Sequence, residues 1–167
     1  MALHAIIEYI KYSWKARGRH GTHSPFVYDF VEAILQDRGN MVIADPVVYS
    51  GLSEGNSTLL NRIRQHYDYR SVRWLPDDHV ADADIVVMPT QEPLLWASLA
   101  KHNFQLLKRD SLVFVANIHD TAVHTHEWNS MRKMPAVKMS IDLYGAGLLL
   151  FKEQFKEQQH FILKDTG

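Results

Sequence analysis

The chain has 167 residues, 46% of them apolar and 22% charged, which is the composition of a folded globular domain. A formal net charge of -1 gives no global attraction to nucleic acid or to an anionic membrane, and the absence of cysteine excludes disulfides, thiolate nucleophiles and cysteine metal sites. Because no run is apolar enough to span a bilayer and nothing resembles a signal peptide, we predict a cytoplasmic protein with a single domain over residues 1–167.

The N-terminal part predicts two helices. Residues 2–16 carry apolar side chains at helical spacing, which is typical of an amphipathic helix. Ser24 and Pro25 then form a helix-start signal, because serine caps a first turn and proline lacks only an N–H that would be unpaired there. A second apolar stripe follows and Gly39 ends it. We therefore predict a helical extension over 1–39, whose helices offer a possible homodimer contact.

From residue 40 to residue 167 the pattern alternates between short strands and helices. This alternation predicts an α/β fold of three layers, with a mostly parallel sheet between helices. The stretch AVKMSIDLYGAGLLLFK predicts an antiparallel hairpin, and HFILK predicts one more strand. The other predicted strands lie near 46–50, 71–75, 84–88 and 111–117, and the predicted helices near 57–68, 92–108 and 121–133.

One predicted connection is unusually short. Only eight residues, PDDHVADA, separate SVRWL from DIVVM. Since an extended chain spans ~3.3 Å per residue, these residues can return along a short strand but cannot also hold a helix. We interpret this as the loss of a strand–helix unit.

The stretch VVYSGLSEGNST places two glycines between a predicted strand and a predicted helix. In a parallel α/β sheet the first strand–helix turn is where a cofactor binds, because glycine permits a sharp turn and the helix start presents unpaired N–H groups. On the motif alone, a cofactor cradle and a plain tight turn are equally good interpretations. Either Asn56 or Ser57 is the expected helix cap. Asp77 and Asp78 follow the next predicted strand, about where an acidic residue holds ribose hydroxyls.

Several segments together resemble the class I S-adenosylmethionine-dependent methyltransferases, in particular a bacterial group with an N-terminal helical extension. The resemblance is carried by RHGTHSPFVYDFV, VVYSGLSEGNST, DADIVVMPTQEP, SLVFVANIHDTAVHTHEWNSMR, VKMSIDLYGAGLLLFKEQ and HFILK. It implies a Rossmann-like fold, S-adenosylmethionine as cofactor and methyl transfer to a small-molecule acceptor. On this basis Gly51, Ser53, Gly55 and Asp77 would contact the cofactor.

The resemblance also implies an acceptor side of the site. His119 and Asn117 follow a predicted strand at its carboxyl end, where such folds bind ligands, and would face the acceptor as catalytic residues. His20 and His23, in the extension, would belong to a lid over the acceptor pocket and contact the substrate. For these two histidines, ordinary turn chemistry is the competing interpretation.

Three positions depart from the family pattern. Tyr49, Pro89 and Ala116 stand where the family usually has acidic residues that orient the cofactor, a divalent ion or a substrate hydroxyl. Proline and alanine can neither ligate a metal nor act as a base. A second hypothesis is therefore a non-catalytic relative, a pseudoenzyme that keeps the fold as a binding or assembly module.

Four potential metal ligands crowd the stretch IHDTAVHTHEW, namely His119, Asp120, His124 and His126. Imidazole and carboxylate are common zinc ligands, so a metal-dependent hydrolase is a third, remote hypothesis. The histidine spacings of two and five residues suit a single helical face poorly. Capping and a solvated surface are therefore the preferred interpretations, and no metal ligand is assigned.

Overall fold

The structure of the protein, a computed structural model, describes residues 24–36, 41–76, 78–155 and 157–163. In these ranges the chain is α/β, as predicted. The helices are α1 (Pro25–Phe30), continued as a π-helix over Val31–Gln36, α2 (Glu54–His66), α3 (Trp96–Asn103), flanked by 3-10 turns over Pro93–Leu95 and Phe104–Leu106, and α4 (Ala122–Arg132). The strands are β1 (Val72–Trp74), β2 (Ile85–Val87), β3 (Leu112–Ala116), β4 (Met139–Asp142), β5 (Ala146–Leu150) and β6 (Gln159–Ile162).

The six described strands form one sheet in the order β1-β2-β3-β5-β4-β6. The pairs β1–β2, β2–β3 and β4–β6 are parallel, whereas β5 runs antiparallel to both of its neighbours, β3 and β4. The sheet is therefore mostly parallel. The predicted C-terminal hairpin is confirmed as β4 and β5, and the additional strand in HFILK is confirmed as β6.

Alternate residues of the central strands pack into two apolar clusters on opposite faces of the sheet. Ile85 and Phe114 belong to a cluster with the buried side of α1 and α2, and the neighbouring Val86 and Val113 belong to a cluster with α3 and α4. Every residue of β2 and β3 is buried. This double coverage explains why both strands read as continuous apolar runs.

The start of α1 is as predicted, and the start of α2 is not. The Ser24 hydroxyl accepts a hydrogen bond of 3.5 Å from the Val27 N–H, and Pro25 is the first helical residue. In α2 the cap is Ser53, whose hydroxyl accepts from the Asn56 N–H at 3.2 Å. The prediction of Asn56 or Ser57 as the cap was wrong, because the helix begins one turn earlier. Residues 2–16 and Gly39 lie outside the described ranges.

The strand predicted near 46–50 was wrong. No sheet hydrogen bonds form there: the Val47 N–H donates to Asn61 Oδ1 at 3.2 Å, and Asn61 Nδ2 donates to the Val47 carbonyl at 2.7 Å. The preceding Pro46 has no N–H to offer a ladder, and the Val48 side chain is 89% exposed. A helix side chain thus takes the place of a neighbouring strand, and VVYSGLSEGNST does not leave the sheet.

The short connection between β1 and β2 holds no helix in its described residues, as predicted. It joins two adjacent parallel strands directly. Asp78 occupies the outward backbone groups of the last residue of β1: its carboxylate accepts from the Trp74 N–H at 2.6 Å, and its own N–H donates to the Trp74 carbonyl at 2.8 Å. None of the helices in the described part of the chain has the length and apolar character needed to cross a bilayer.

Candidate functional site at the carboxyl edge of the sheet

Polar groups gather where the parallel strands end. β2 is followed by Thr90, β3 by Asn117 and His119, and β4 ends at Asp142, so these residues share one edge of the sheet. Because β5 runs the other way, the turn before it lies at the same edge and adds Tyr144. This is the edge at which open parallel sheets bind ligands.

A buried histidine–carboxylate pair lies at the centre of this edge. His119 Nε2 is 2.8 Å from Asp142 Oδ2, and the two residues are only 8% and 4% exposed. The other ring nitrogen, Nδ1, is 3.1 Å from the hydroxyl of Thr125 in α4. An ionised carboxylate can only accept, so in the neutral ring Nε2 donates to Asp142 and Nδ1 accepts from the hydroxyl, whereas a protonated ring would donate from both nitrogens. Thr125, His119 and Asp142 therefore form a hydroxyl–imidazole–carboxylate chain.

The turn between β4 and β5 fixes this pair from one side. The Tyr144 ring stacks on the His119 ring with centroids 5.6 Å apart, and the Tyr144 N–H donates to Asp142 Oδ1 at 2.9 Å. Tyr144 has a φ of 66°, which is uncommon for a bulky residue and marks a strained turn. Arg132 is close enough for the charge of Asp142 to act on it, although burial lowers the pKa of its guanidinium.

Asn117 holds the turn after β3. Its φ is 59°, a left-handed conformation that asparagine tolerates better than most residues. Its N–H donates to the Gly145 carbonyl at 2.7 Å, and its carbonyl accepts from the Asp120 N–H at 3.1 Å. The Asn56 amide, from α2, reaches the same Gly145 carbonyl at 3.4 Å. The observed contacts of Asn117 are thus backbone contacts that join β3 to the β4–β5 turn.

The glycine loop comes close to this edge, although it does not follow a strand. Gly51 has a φ of 81°, and a β-carbon at this position would lie 3.5 Å from the Thr90 hydroxyl. A β-carbon at Gly55 would meet nothing within 4 Å. The Ser53 hydroxyl is used as the cap of α2. The loop is therefore beside the site, but part of its hydrogen-bonding capacity serves its own helix.

Each of the three positions that depart from the methyltransferase pattern makes contacts that belong to the fold. Tyr49 is 8% exposed, its ring contacts that of Trp74, and burial raises the pKa of its hydroxyl. The Pro89 carbonyl accepts from Trp96 Nε1 at 2.6 Å. Ala116 pairs with Ala146 in the β3–β5 ladder. None of the three supplies a carboxylate to the edge.

Asp77, His20 and His23 lie outside the described ranges. Asp78, considered with Asp77 as a partner for ribose hydroxyls, is engaged at the edge of β1.

The histidines of α4 are separated by their contacts. His124 Nδ1 is 2.8 Å from the Thr121 hydroxyl, and its ring packs edge-on against Trp96, whereas His126 is exposed. In the described residues no three histidine, cysteine or acidic side chains come together as a metal-binding group.

Sequence reasoning assigned none of Thr125, Asp142 and Tyr144 to the site. The contact of His119 with Asp142 depends on β5 lying between β3 and β4, which no local pattern encodes. The sequence HDTAVHT did contain one signal, because a threonine six residues after His119 falls within the first two turns of the helix that follows.

Comparison of the chain with known proteins gave no matching family model, no matching curated protein and no matching solved structure.

Proposed function

We propose that this chain is a relative of the class I S-adenosylmethionine-dependent methyltransferases that no longer transfers methyl groups and acts as a binding or assembly module. The observation that carries the proposal is the pairing of Val47 with Asn61 in place of a strand. A cofactor cradle needs a loop that leaves a strand at the carboxyl edge and opens onto a helix. Here the loop opens onto α2 without a strand before it.

The chemistry of the edge supports the same proposal. Methyl transfer asks mainly for cofactor binding and in-line positioning, because the sulfonium methyl is already electrophilic. Tyr49, Pro89 and Ala116 offer no carboxylate to orient the cofactor. Ser53, an expected cofactor contact, is occupied as a helix cap. The relationship itself is supported by the mostly parallel sheet and its antiparallel β5, which suit the Rossmann-like fold that the resemblance implies.

A second candidate function is methyl transfer to a small molecule, with Asn117 and His119 on the acceptor side. Two observations favour it: His119 follows β3 at the carboxyl edge, and Gly51 lies against Thr90 at that edge. In this alternative, His119 would act as a base for an acceptor hydroxyl, and Gly51 and Gly55 would approach the cofactor.

Cofactor binding separates the two candidates. Isothermal titration and thermal unfolding with S-adenosylmethionine or S-adenosylhomocysteine should give neither heat nor a shift at millimolar ligand. A ligand at a hundred times its dissociation constant would stabilise the fold by about 2.7 kcal/mol, and such a shift would overturn the proposal. Gly55→Ala is the matched variant, because its β-carbon has open space in the free protein and would weaken binding only if a ligand approaches there.

An assembly role makes a prediction of its own. The sequence predicts a homodimer through the N-terminal helices, and sedimentation velocity of the full chain should then give twice the chain mass. Ile6→Glu and Ile10→Glu, in the apolar stripe predicted over 2–16, should return it to a monomer. A wild-type protein that sediments as a monomer at high concentration would contradict self-assembly. An assembly role would then require a partner other than a second copy of this chain.

A further inference from the structure

The geometry points to Thr125 as a reactive hydroxyl, an acyl acceptor that His119 and Asp142 activate toward small activated esters. The inference does not rest on the proposed function. It rests on the chain of contacts from Thr125 Oγ1 to His119 Nδ1 at 3.1 Å and from His119 Nε2 to Asp142 Oδ2 at 2.8 Å. A hydroxyl next to a histidine that a third group orients is the general arrangement of an activated nucleophile.

The neutral form of His119 suits this chemistry. With the Nε2 proton directed at Asp142, the lone pair of Nδ1 is directed at the threonine hydroxyl, which is the tautomer that a general base requires. The carboxylate also stabilises the imidazolium that forms when the proton is transferred. Burial of His119 and Asp142 strengthens this interaction because water does not screen it.

Two features of the surroundings support the inference. Thr125 is only partly buried, and it lies at the carboxyl edge of the sheet. Tyr144, which stacks on the His119 ring, is one of four non-glycine residues with positive φ in the described chain, and such a φ is uncommon for a bulky residue. Backbone strain of this kind persists where the structure holds a functional geometry in place.

The proposed reaction has two balanced steps. Thr125 Oγ bonds to the acyl carbon of the ester while its proton passes to His119 Nδ1, and the bond from the acyl carbon to the alcohol oxygen breaks as the alcohol takes that proton. Water then attacks the acyl-threonine, giving a proton to Nδ1. The acyl–oxygen bond breaks, the carboxylic acid leaves, and Thr125 regains its proton. Water is the only co-reactant besides the ester.

A second threonine–histidine pair in the chain serves as an internal control for Thr125 and His119. Thr121 Oγ1 lies 2.8 Å from His124 Nδ1, which is a second threonine–histidine contact on the same helix. The other nitrogen of His124 is 3.5 Å from the Thr90 carbonyl, so its contact within the described residues is a backbone carbonyl and not a carboxylate. If a hydrogen bond to histidine were sufficient, both threonines would react. If the carboxylate is needed, Thr125 alone will react.

The test is acetylation of the full-length protein by p-nitrophenyl acetate, with release of p-nitrophenolate as the kinetic measurement. Peptide mass spectrometry then shows which residues carry the acetyl group. Acetyl groups should accumulate on Thr125 and not on Thr121 in the wild-type protein, which requires no variant. Thr125→Ser should keep the reaction, and Thr125→Val should abolish it. His119→Gln should slow labelling by about 100-fold, which is the usual contribution of a general base.

Asp142 is a positioning residue and needs a separate readout. Asp142→Asn should lose labelling of Thr125, whereas Asp142→Glu should restore part of it, provided that circular dichroism shows both variants folded. Equal labelling of Thr121 and Thr125, labelling confined to lysines, or labelling of Thr125 that persists in Asp142→Asn would each overturn the inference. The labelling reaction does not involve S-adenosylmethionine, so this test and the cofactor test can fail independently.

Discussion

Asn61 binds both backbone groups of Val47, accepting from its N–H and donating to its carbonyl, as a neighbouring strand would. One turn further along α2, Gln65 repeats the arrangement by accepting from the Ala44 N–H at 2.8 Å and donating to the Val42 carbonyl at 2.9 Å. Two carboxamides on one helix face thus hold an extended segment to the surface of α2. This segment leads to Tyr49, whose side chain packs in the core.

Asn61→Ala should therefore destabilise the fold by about 1–3 kcal/mol, because it removes both hydrogen bonds to the Val47 backbone and each contributes about 0.5–1.5 kcal/mol. Asn61→Asp keeps the acceptor and loses the donor, so its effect should be smaller than that of alanine unless burial of the charge dominates. Urea unfolding measures the difference. A change in free energy below about 0.5 kcal/mol for alanine would show that water replaces the carboxamide at no net loss.

Gly147 is expected to tolerate no side chain. A β-carbon there would lie 2.5 Å from Cη2 of Trp128, which is itself fully buried. Gly147→Ala should destabilise the protein by about 1–3 kcal/mol through overpacking. Gly145→Ala is the matched control two residues away, where a β-carbon meets nothing within 4 Å. Thermal unfolding of both variants checks the prediction, which equal melting temperatures would contradict.

The ionisation of Asp84 should make the free energy of unfolding depend on pH in the acid range. Burial acts to raise the pKa of its carboxyl, but hydrogen bonds from Lys108, Ser71 and Arg70 outweigh it and hold the pKa well below the ordinary value. Because the folded-state pKa is lowered, the stabilisation is complete above the unfolded value of about 3.9 and is lost as the pH falls below it.

The measurement for Asp84 is the difference in unfolding free energy between the wild-type protein and Asp84→Asn across the acid range. The difference should be largest near pH 6 and should shrink steadily below about pH 4. Lys108→Met serves as the control, since it removes one hydrogen bond and leaves those from the backbone N–H groups of Arg70 and Ser71. A difference that stays constant with pH would mean that the charge of Asp84 does not contribute.

Glu127 caps a helix that is not its own. Its carboxylate accepts from the Ala97 N–H at 3.1 Å, in the first turn of α3, where the cap residue Leu95 offers no side-chain hydrogen bond. Glu127→Ala should destabilise the fold by about 1 kcal/mol, because an N–H at the positive end of the helix loses its acceptor. Glu127→Gln keeps an acceptor oxygen and should retain most of that stability in the same unfolding measurement.

Local patterns in the sequence were sufficient for much of the fold. The buried strands β2 and β3, the hairpin of β4 and β5, and the start of α1 at Pro25 follow from apolar runs, a glycine turn and a Ser-Pro signal. The strand near 46–50 was predicted wrongly because two adjacent valines suggest a strand. The groups that bind Val47 come from a helix side chain 14 residues later, which no periodicity reveals.

The candidate site was predictable only in part. His119 was found because it follows a strand at its carboxyl end, and that rule needs no knowledge of the sheet order. Its partners Thr125 and Asp142 lie on different elements, and only the placement of β5 between β3 and β4 brings Asp142 within reach. The sequence therefore located the edge but not the chain of contacts along it.

The closure of β1 by Asp78 restricts how this protein can associate with others. The last residue of the strand, Trp74, has its outward N–H and carbonyl both occupied within the chain. An extended segment from another molecule would have to displace Asp78 before it could continue the sheet at that end. Docking by strand addition is thus opposed at the carboxyl end of β1.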